Sequence, residues 1–317
     1  MEGTPSEEEG NISPKPAASE GLRAPRLSQA NRRRLADASL LLVTVIWGST
    51  FPLIKNLVVS IDPMVIIAIR FLIASILMAF VLFKKLRSIS HSLLMAGAVL
   101  GGFLFSGYAL QTIGLKYTTA SKAGFITGLS VVMVPFLSAM ILHRTPGKTS
   151  IMGAILAAIG LGLMAIEPGS RLTLQIGDVL VFLCALGFAF HIVFVARYAP
   201  AMDVPLLVLV QVTVAAVIGL AYTAIVGDLL PVFKPPGFGW VEWGSLIFLG
   251  AFATAGAFFV QNSAQRITTP TRVAIILAAE PIFSALFAWI FLGESLGIRG
   301  IFGAALIIVG ILGAELG

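Results

Sequence analysis

The chain has 317 residues, 58% of them hydrophobic and 11% charged, with a mean hydropathy of +0.99. Such values exclude a water-soluble globular fold and point to a multi-pass membrane protein. The net charge of +6 comes from basic residues clustered between apolar runs, which is membrane topology rather than a nucleic-acid footprint. The lone Cys184 excludes a disulfide framework, a zinc site and a redox pair.

Residues 1–36 are rich in Pro, Gly, Ser and charge and too poor in apolar residues to form a core, which predicts a disordered cytoplasmic tail. Its acidic start lacks the basic segment of a cleavable signal peptide. Apolar runs follow at 38–58, 64–83, 93–113, 120–141, 150–167, 177–197, 204–226, 243–263, 271–292 and 298–315, each near the length of about 20 residues that crosses a bilayer. With the amino terminus inside, Arg32, Arg33, Arg34, Lys84, Lys85, Arg87, Arg144, Lys148, Arg197, Arg266 and Arg272 fall in the cytoplasm. Lys116, Lys122, Arg171, Lys234 and Arg299 fall outside. This asymmetry puts both termini in the cytoplasm.

A charged residue in hydrocarbon costs several kcal/mol unless paired or wetted, so polar residues inside the spans are the functional candidates. The first span carries Thr44, Trp47 and Pro52, and Lys55 is expected to snorkel to the outer face. Arg70 in the second span lies about 10 Å below its outer end at the helical rise. The third span has Tyr108 and Gln111, and the fourth has Gly124, Thr127, Pro135 and Ser138. His191 in the sixth span shares a helical face with Cys184, Gly187, Phe194 and Tyr198. A lone histidine there is either a packed side chain or part of a cavity wall, and no metal site is indicated. Gln261 in the eighth span, one turn after Phe258, repeats the arrangement of Gln111 after Tyr108. Both glutamines suit either gates or helix–helix hydrogen bonds. The ninth span contains AIILAAEPIF, in which Glu280 is the only carboxylate near mid-depth, about 14 Å from the inner end. In a core about 30 Å thick Arg70 and Glu280 differ little in depth, so they either pair across the bundle or face one cavity. The alternative is that Arg70 snorkels and Glu280 is held beside Pro281 and Ser284 as structure. Pro52, Pro135 and Pro281 each predict a kink. Glycines spaced three, four or seven apart in the fifth and tenth spans predict close helix contacts, as scaffold or as a homodimer surface.

A shift of 150 residues aligns GGFLFSGYALQTIGLKYTTASKAGF with AFATAGAFFVQNSAQRITTPTRVAI. Gln111 falls on Gln261, Lys116 on Arg266, Thr119 on Thr269 and Lys122 on Arg272. A slightly shorter shift brings IWGSTF near ALGFAF and Arg70 onto Gln211. The chain therefore divides after the tail into repeats at 37–168 and 169–317, each with five spans. An odd number of spans forces the two copies to enter the membrane from opposite sides, so the expected fold is an all-α integral membrane protein of ten transmembrane helices as a 5+5 inverted repeat. The repeat is imperfect at its most polar point: Glu280-Pro281 is matched by Ser130-Val131, and Glu294 by Arg144.

IWGSTFPLIK, DPMVIIAIRFLIA, ASKAGFITGLSVVMVPFLSAMI and RVAIILAAEPIFSALFAWIFLGESLGIRGIFGAALIIVGIL together resemble the EamA family of the drug/metabolite transporter superfamily, over residues 38–315. The resemblance implies a ten-helix fold around a central cavity that moves amino acids, metabolites or drugs outward, and leaves the cargo open.

Inverted duplication supplies the two related conformations that alternating access requires. The expectation is a secondary transporter in the cell (inner) membrane, with the lipid bilayer and a small-molecule solute as partners and no cofactor. Its substrate-binding or cavity candidates are Trp47, Arg70, Tyr108, Gln111, Thr127, His191, Gln261 and Glu280. No glycine-rich loop with Lys-Ser or Lys-Thr is present for ATP. A membrane-embedded lipid or prenyl transferase is the alternative enzyme reading, but no paired aspartates or histidine cluster supports it at core depth. A channel or a non-transporting bundle is the third.

Overall fold

The computed structural model describes residues 29–165, 175–226, 238–293 and 297–315. The tail up to residue 28, together with Glu167, Arg171, Asp228, Lys234 and Glu294, lies outside the described residues. Among the described residues every regular element is helical. Eight helical stretches are long and apolar enough to cross a membrane, and Lys148–Met164 and Ile298–Gly313 are shorter apolar helices.

The first helix, α1 (Gln29–Leu57), begins inside the expected tail, so residues 29–36 are helical rather than disordered. An apolar span has already met the nucleation cost, and QANRRRLA contains good helix formers onto which the helix propagates. The chain turns into α2 (Pro63–Val81) at Asp62, whose carboxylate accepts from the Met64 N–H ahead of Pro63. Helix α3 (His91–Tyr117) is capped by Ser90, and α8 (Val204–Ile225) by Asp203. Helix α6 (Lys148–Ala165) leads to α7 (Ile176–Tyr198), where Gln175 and Asp178 form a capping box. Lys55 donates to the Leu115 and Thr118 carbonyls at the carboxyl end of α3. It thus closes a helix terminus instead of merely snorkelling.

The expected fourth span is two helices, α4 (Ala120–Gly128) and α5 (Ser130–Leu142). The ninth is α11 (Pro270–Leu277) and α12 (Glu280–Leu292). Their joints correspond bond for bond. Leu129 N–H donates to Ile126 at 3.1 Å and Val132 N–H to Leu129 at 3.0 Å; Ala279 N–H donates to Ile276 and Ile282 N–H to Ala279, both at 3.0 Å. The caps correspond too, since Thr119 Oγ1 accepts from Lys122 N–H and Thr269 Oγ1 from Arg272 N–H. The fourth span is therefore interrupted at Leu129 and runs on unbroken through Pro135, whereas the ninth span breaks just before Pro281.

The expected eighth span comprises α9 (Trp240–Gly250), a π-helical turn (Ala251–Gly256) and α10 (Ala257–Ala264). The final helix, α13 (Ile298–Glu315), packs along α6. A Cβ added at Gly160 would run into the Gly303 carbonyl, and one at Gly303 into the Gly160 carbonyl. The small-residue face thus serves as scaffold within the chain. Gly303→Val is expected to lower stability by about 1–3 kcal/mol through overpacking, read as a fall in Tm of the detergent-solubilised protein. A Tm equal to wild type would show that the two helices slide apart freely.

Candidate functional site

Polar residues of five helices and one helix break converge at the centre of the bundle. Trp47 and Thr50 come from α1, Tyr108 and Gln111 from α3, Thr127 from α4, His191 from α7, Gln261 from α10 and Glu280 from the α11–α12 joint. Together with Gly128, Ser130, Phe188, Ile192, Phe258 and Leu277 they line one cavity of about 40 Å³. That is room for about three waters, so an organic solute enters only if the walls part. Two larger grooves of about 630 and 660 Å³ are lined chiefly by apolar side chains of α5–α6 and of α1, α9 and α12. Phe136 (74% exposed) and Phe291 (67%) there face outward, where lipid lies in a membrane, and no charged side chain is among the residues that line the two grooves.

Four aromatic rings wall the cavity. Trp47 tilts against Phe258 at 5.3 Å, while Tyr108 stands edge-on to Phe188 at 5.1 Å and to Phe258 at 6.1 Å. The rings are fixed by hydrogen bonds as well as by packing. Trp47 Nε1 donates to the Ala253 carbonyl at 2.8 Å, an acceptor in the π-helical turn. A π turn shifts its backbone hydrogen bonds by one residue from the regular ladder, and here the Ala253 carbonyl serves as a fixed polar anchor in the core.

Arg70 reaches the same anchor from α2. It is 1% exposed; its Nε donates to Thr254 Oγ1 at 2.9 Å and its Nη2 to the Ala253 carbonyl at 3.5 Å. Its guanidinium lies 4.3 Å from the centre of the Tyr108 ring, within cation–π range. Nη1 is buried with no hydrogen-bond partner. Arg70 neither snorkels nor pairs with Glu280: the ion pairs among the described residues are Lys85–Asp203, Lys122–Asp178 and Arg272–Asp37. Depth allowed a pair; the helical face of α2 that carries Arg70 looks toward the π turn instead. Seven of the eight expected cavity residues line the cavity, and Arg70 supports it from behind Tyr108.

His191 does both things the sequence allowed. It lines the cavity and its Nε2 shares a 2.8 Å hydrogen bond with Gln211 Oε1. Gln111 Nε2 donates to Thr127 Oγ1 at 3.1 Å, and Gln261 Nε2 to Gln265 Oε1 at 3.2 Å. Gln265 in turn donates to the Ile192 carbonyl. The glutamines therefore couple helices and also present atoms to the cavity. Glu280 is different: its carboxylate has no hydrogen-bond or ion-pair partner among the described residues, and it lines the same cavity as Ser130, its counterpart 150 residues earlier. Glu280 is half-buried, and a carboxylate drawn partly out of water without a partner is costly, so the cavity presents an unmet demand for a donor or a cation at one point of its wall. Among the described residues no group of three or more His, Cys, Asp or Glu side chains could hold a metal ion.

The chain is 32% identical to an "Uncharacterized transporter" of Archaeoglobus fulgidus, over 89% of this chain and 86% of that one. It is 26% identical to the "Uncharacterized transporter YyaM" of Bacillus subtilis, over 87% of this chain and 92% of the relative. A solved crystal structure with 18% identity superposes with a TM-score of 0.70, covering 89% of this chain and 98% of that one, and so shares the fold. A model of the EamA-like transporter family matches twice, at residues 34–166 and 175–315. The chain is a multi-pass membrane protein and belongs to the EamA-like transporter family.

Proposed function

We propose that the protein is a secondary transporter that exports small metabolites, such as amino acids or drug-like compounds, by alternating access around the central cavity. One observation carries the reading. The two helix breaks that correspond 150 residues apart, at Gly128–Ser130 and at Leu277–Glu280, flank the same cavity. Paired discontinuous helices at mid-membrane are what an inverted-repeat carrier uses to bind a solute and to exchange conformations.

The proposed ten spans in two inverted sets of five are supported by the direction of the short helices. Lys122 and Asp178 meet at one end of the bundle, so α6 returns the chain to the end from which α4 started. Its 18 residues span about 27 Å at the helical rise, close to the thickness of about 30 Å of the hydrocarbon core and within the length range of crossing helices. The basic residues at the ends of α1, α2, α5, α7 and α10 support both termini in the cytoplasm of a cell-membrane protein. No enzymatic step belongs to this reading.

Purified protein in liposomes loaded with one unlabelled metabolite or amino acid at a time is expected to accumulate the same labelled solute transiently, with saturation. Counterflow of this kind requires a site that alternates, and linear uncoupled flux would replace the carrier by a channel. Absence of flux for every amino acid, amine and drug-like solute tested would leave a structural bundle.

A further inference from the structure

Two ion pairs stand at matched places in the two halves. Asp37, in the first inward turns of α1, accepts from Arg272 of α11 through Nε to Oδ1 at 3.2 Å and Nη2 to Oδ2 at 2.7 Å. Asp178, at the start of α7, accepts from Lys122 of α4 at 2.5 Å and from Thr118 Oγ1 at 2.8 Å. Both carboxylates are nearly inaccessible, with side chains 2% and 3% exposed. Arg272 is Lys122 shifted by 150 residues, and α7 is the counterpart of α1. Each pair joins a helix of one half to a helix of the other.

The same four helices supply cavity walls. Trp47 lies ten residues beyond Asp37 on α1, and Glu280 eight beyond Arg272, or about 15 and 12 Å inward. Thr127 lies five residues beyond Lys122 and His191 thirteen beyond Asp178, about 8 and 20 Å inward. The cavity is thus bracketed: one pair clamps α1 to α11 at one end, and the other clamps α4 to α7 at the opposite end. Neither clamp restrains the far ends of the helices it joins. Both are closed here, and the cavity between them measures about 40 Å³.

We propose that Asp37–Arg272 and Asp178–Lys122 are the two latches of the transport cycle, each sealing the cavity from one face, and that they open in alternation. This rests on the transporter reading. Opening Asp37–Arg272 lets α1 and α11 splay at the inner face while Asp178–Lys122 holds the outer face shut; the converse exposes the cavity outside. A partly buried pair suits the role, because water entering at an opening end solvates both charges and lowers the cost of separating them.

The test uses a single cysteine at the cavity wall, Ser130→Cys, in full-length protein with the buried Cys184 replaced by Ala. A membrane-impermeant thiol reagent is applied separately to right-side-out and inside-out vesicles. Asp37→Asn is expected to speed labelling about 5- to 30-fold from the cytoplasmic side alone, and Asp178→Asn by a similar factor from the outer side alone. Exchanging the charges, Asp37→Arg with Arg272→Asp, is expected to return the rate to that of the parent. Where Asp37→Asn fails to accumulate, Arg272→Gln opens the same latch and is read in the same way. Labelling that rises equally from both faces, or from neither, overturns the proposal. So does a charge exchange that rescues nothing. One-sided labelling with no flux of any solute would retire the transporter reading and leave the closures standing; normal flux with unchanged labelling would retire the latches alone.

Discussion

Glu280→Gln lowers saturable counterflow by about 10- to 100-fold while the protein stays as stable as wild type or becomes more so. The first half follows from Glu280 being, among the described residues, the one carboxylate that lines the cavity, with no hydrogen-bond or ion-pair partner among them. A charge-assisted hydrogen bond to a bound solute contributes about 1.5–3 kcal/mol, and each 1.4 kcal/mol is a factor of ten in affinity. The second half follows from the same fact read in the fold. Among the described residues nothing is bonded to this carboxylate, so an amide of the same shape deprives no donor there and lowers the cost of holding a half-buried charge. Glu280→Asp keeps the charge but withdraws it by one methylene and should fall between. Counterflow and Tm together decide it: loss of both would make Glu280 a structural residue, and loss of neither would remove it from the site.

Seven cavity residues were legible in the sequence for one physical reason. A polar side chain in hydrocarbon needs company, and in a bundle the company is other polar side chains, so Gln111, Thr127, His191, Gln261 and Glu280 find one another. Phe188 carries no such signal, because an aromatic ring in an apolar span is equally at home against lipid. Ser130 had one, its match to Glu280 in the repeat, and so had Phe258, its match to Tyr108. The break at Gly128–Ser130 shows how the repeat outweighs local chemistry. Pro135 sits within α5 with the helix continuing around it, whereas the hydrogen bonds of the joint follow the position of the Glu280 joint. The π-helical turn at Ala251–Gly256 was not legible: AFATAG reads as ordinary helix, and its Ala253 carbonyl acquires meaning only when Trp47 and Arg70 arrive from distant elements. For the same reason the depth of Arg70 could be computed from the helical rise but not its neighbour, which depends on how α2 is rotated against α9 and the π turn.

Arg70→Met is the second large effect, and it separates function from folding in the opposite residue. The guanidinium is fully desolvated, has no counter-ion among the described residues and leaves Nη1 unbonded, so its contribution to stability is small or negative. Methionine fills much of the same volume without charge. The groups it deserts remain satisfied, since Thr254 Oγ1 still donates to the Leu249 carbonyl at 2.8 Å and the Ala253 carbonyl still accepts from Trp47. Stability of Arg70→Met is therefore expected within about 1 kcal/mol of wild type, whereas Arg70→Ala, which leaves a void, is expected to lose about 2–5 kcal/mol. Transport should nevertheless drop about tenfold or more in both, because the cation that holds the Tyr108 ring from behind is gone, and a cavity wall displaced by an ångström can cost that much. Arg70→Lys should not rescue it, since an ammonium cannot bond the π turn and lie flat on the ring at once. If Arg70→Met unfolded like Arg70→Ala while Arg70→Lys worked normally, the buried charge would belong to the scaffold, and the demand made by Glu280 would be answered by the solute with no help from the second span.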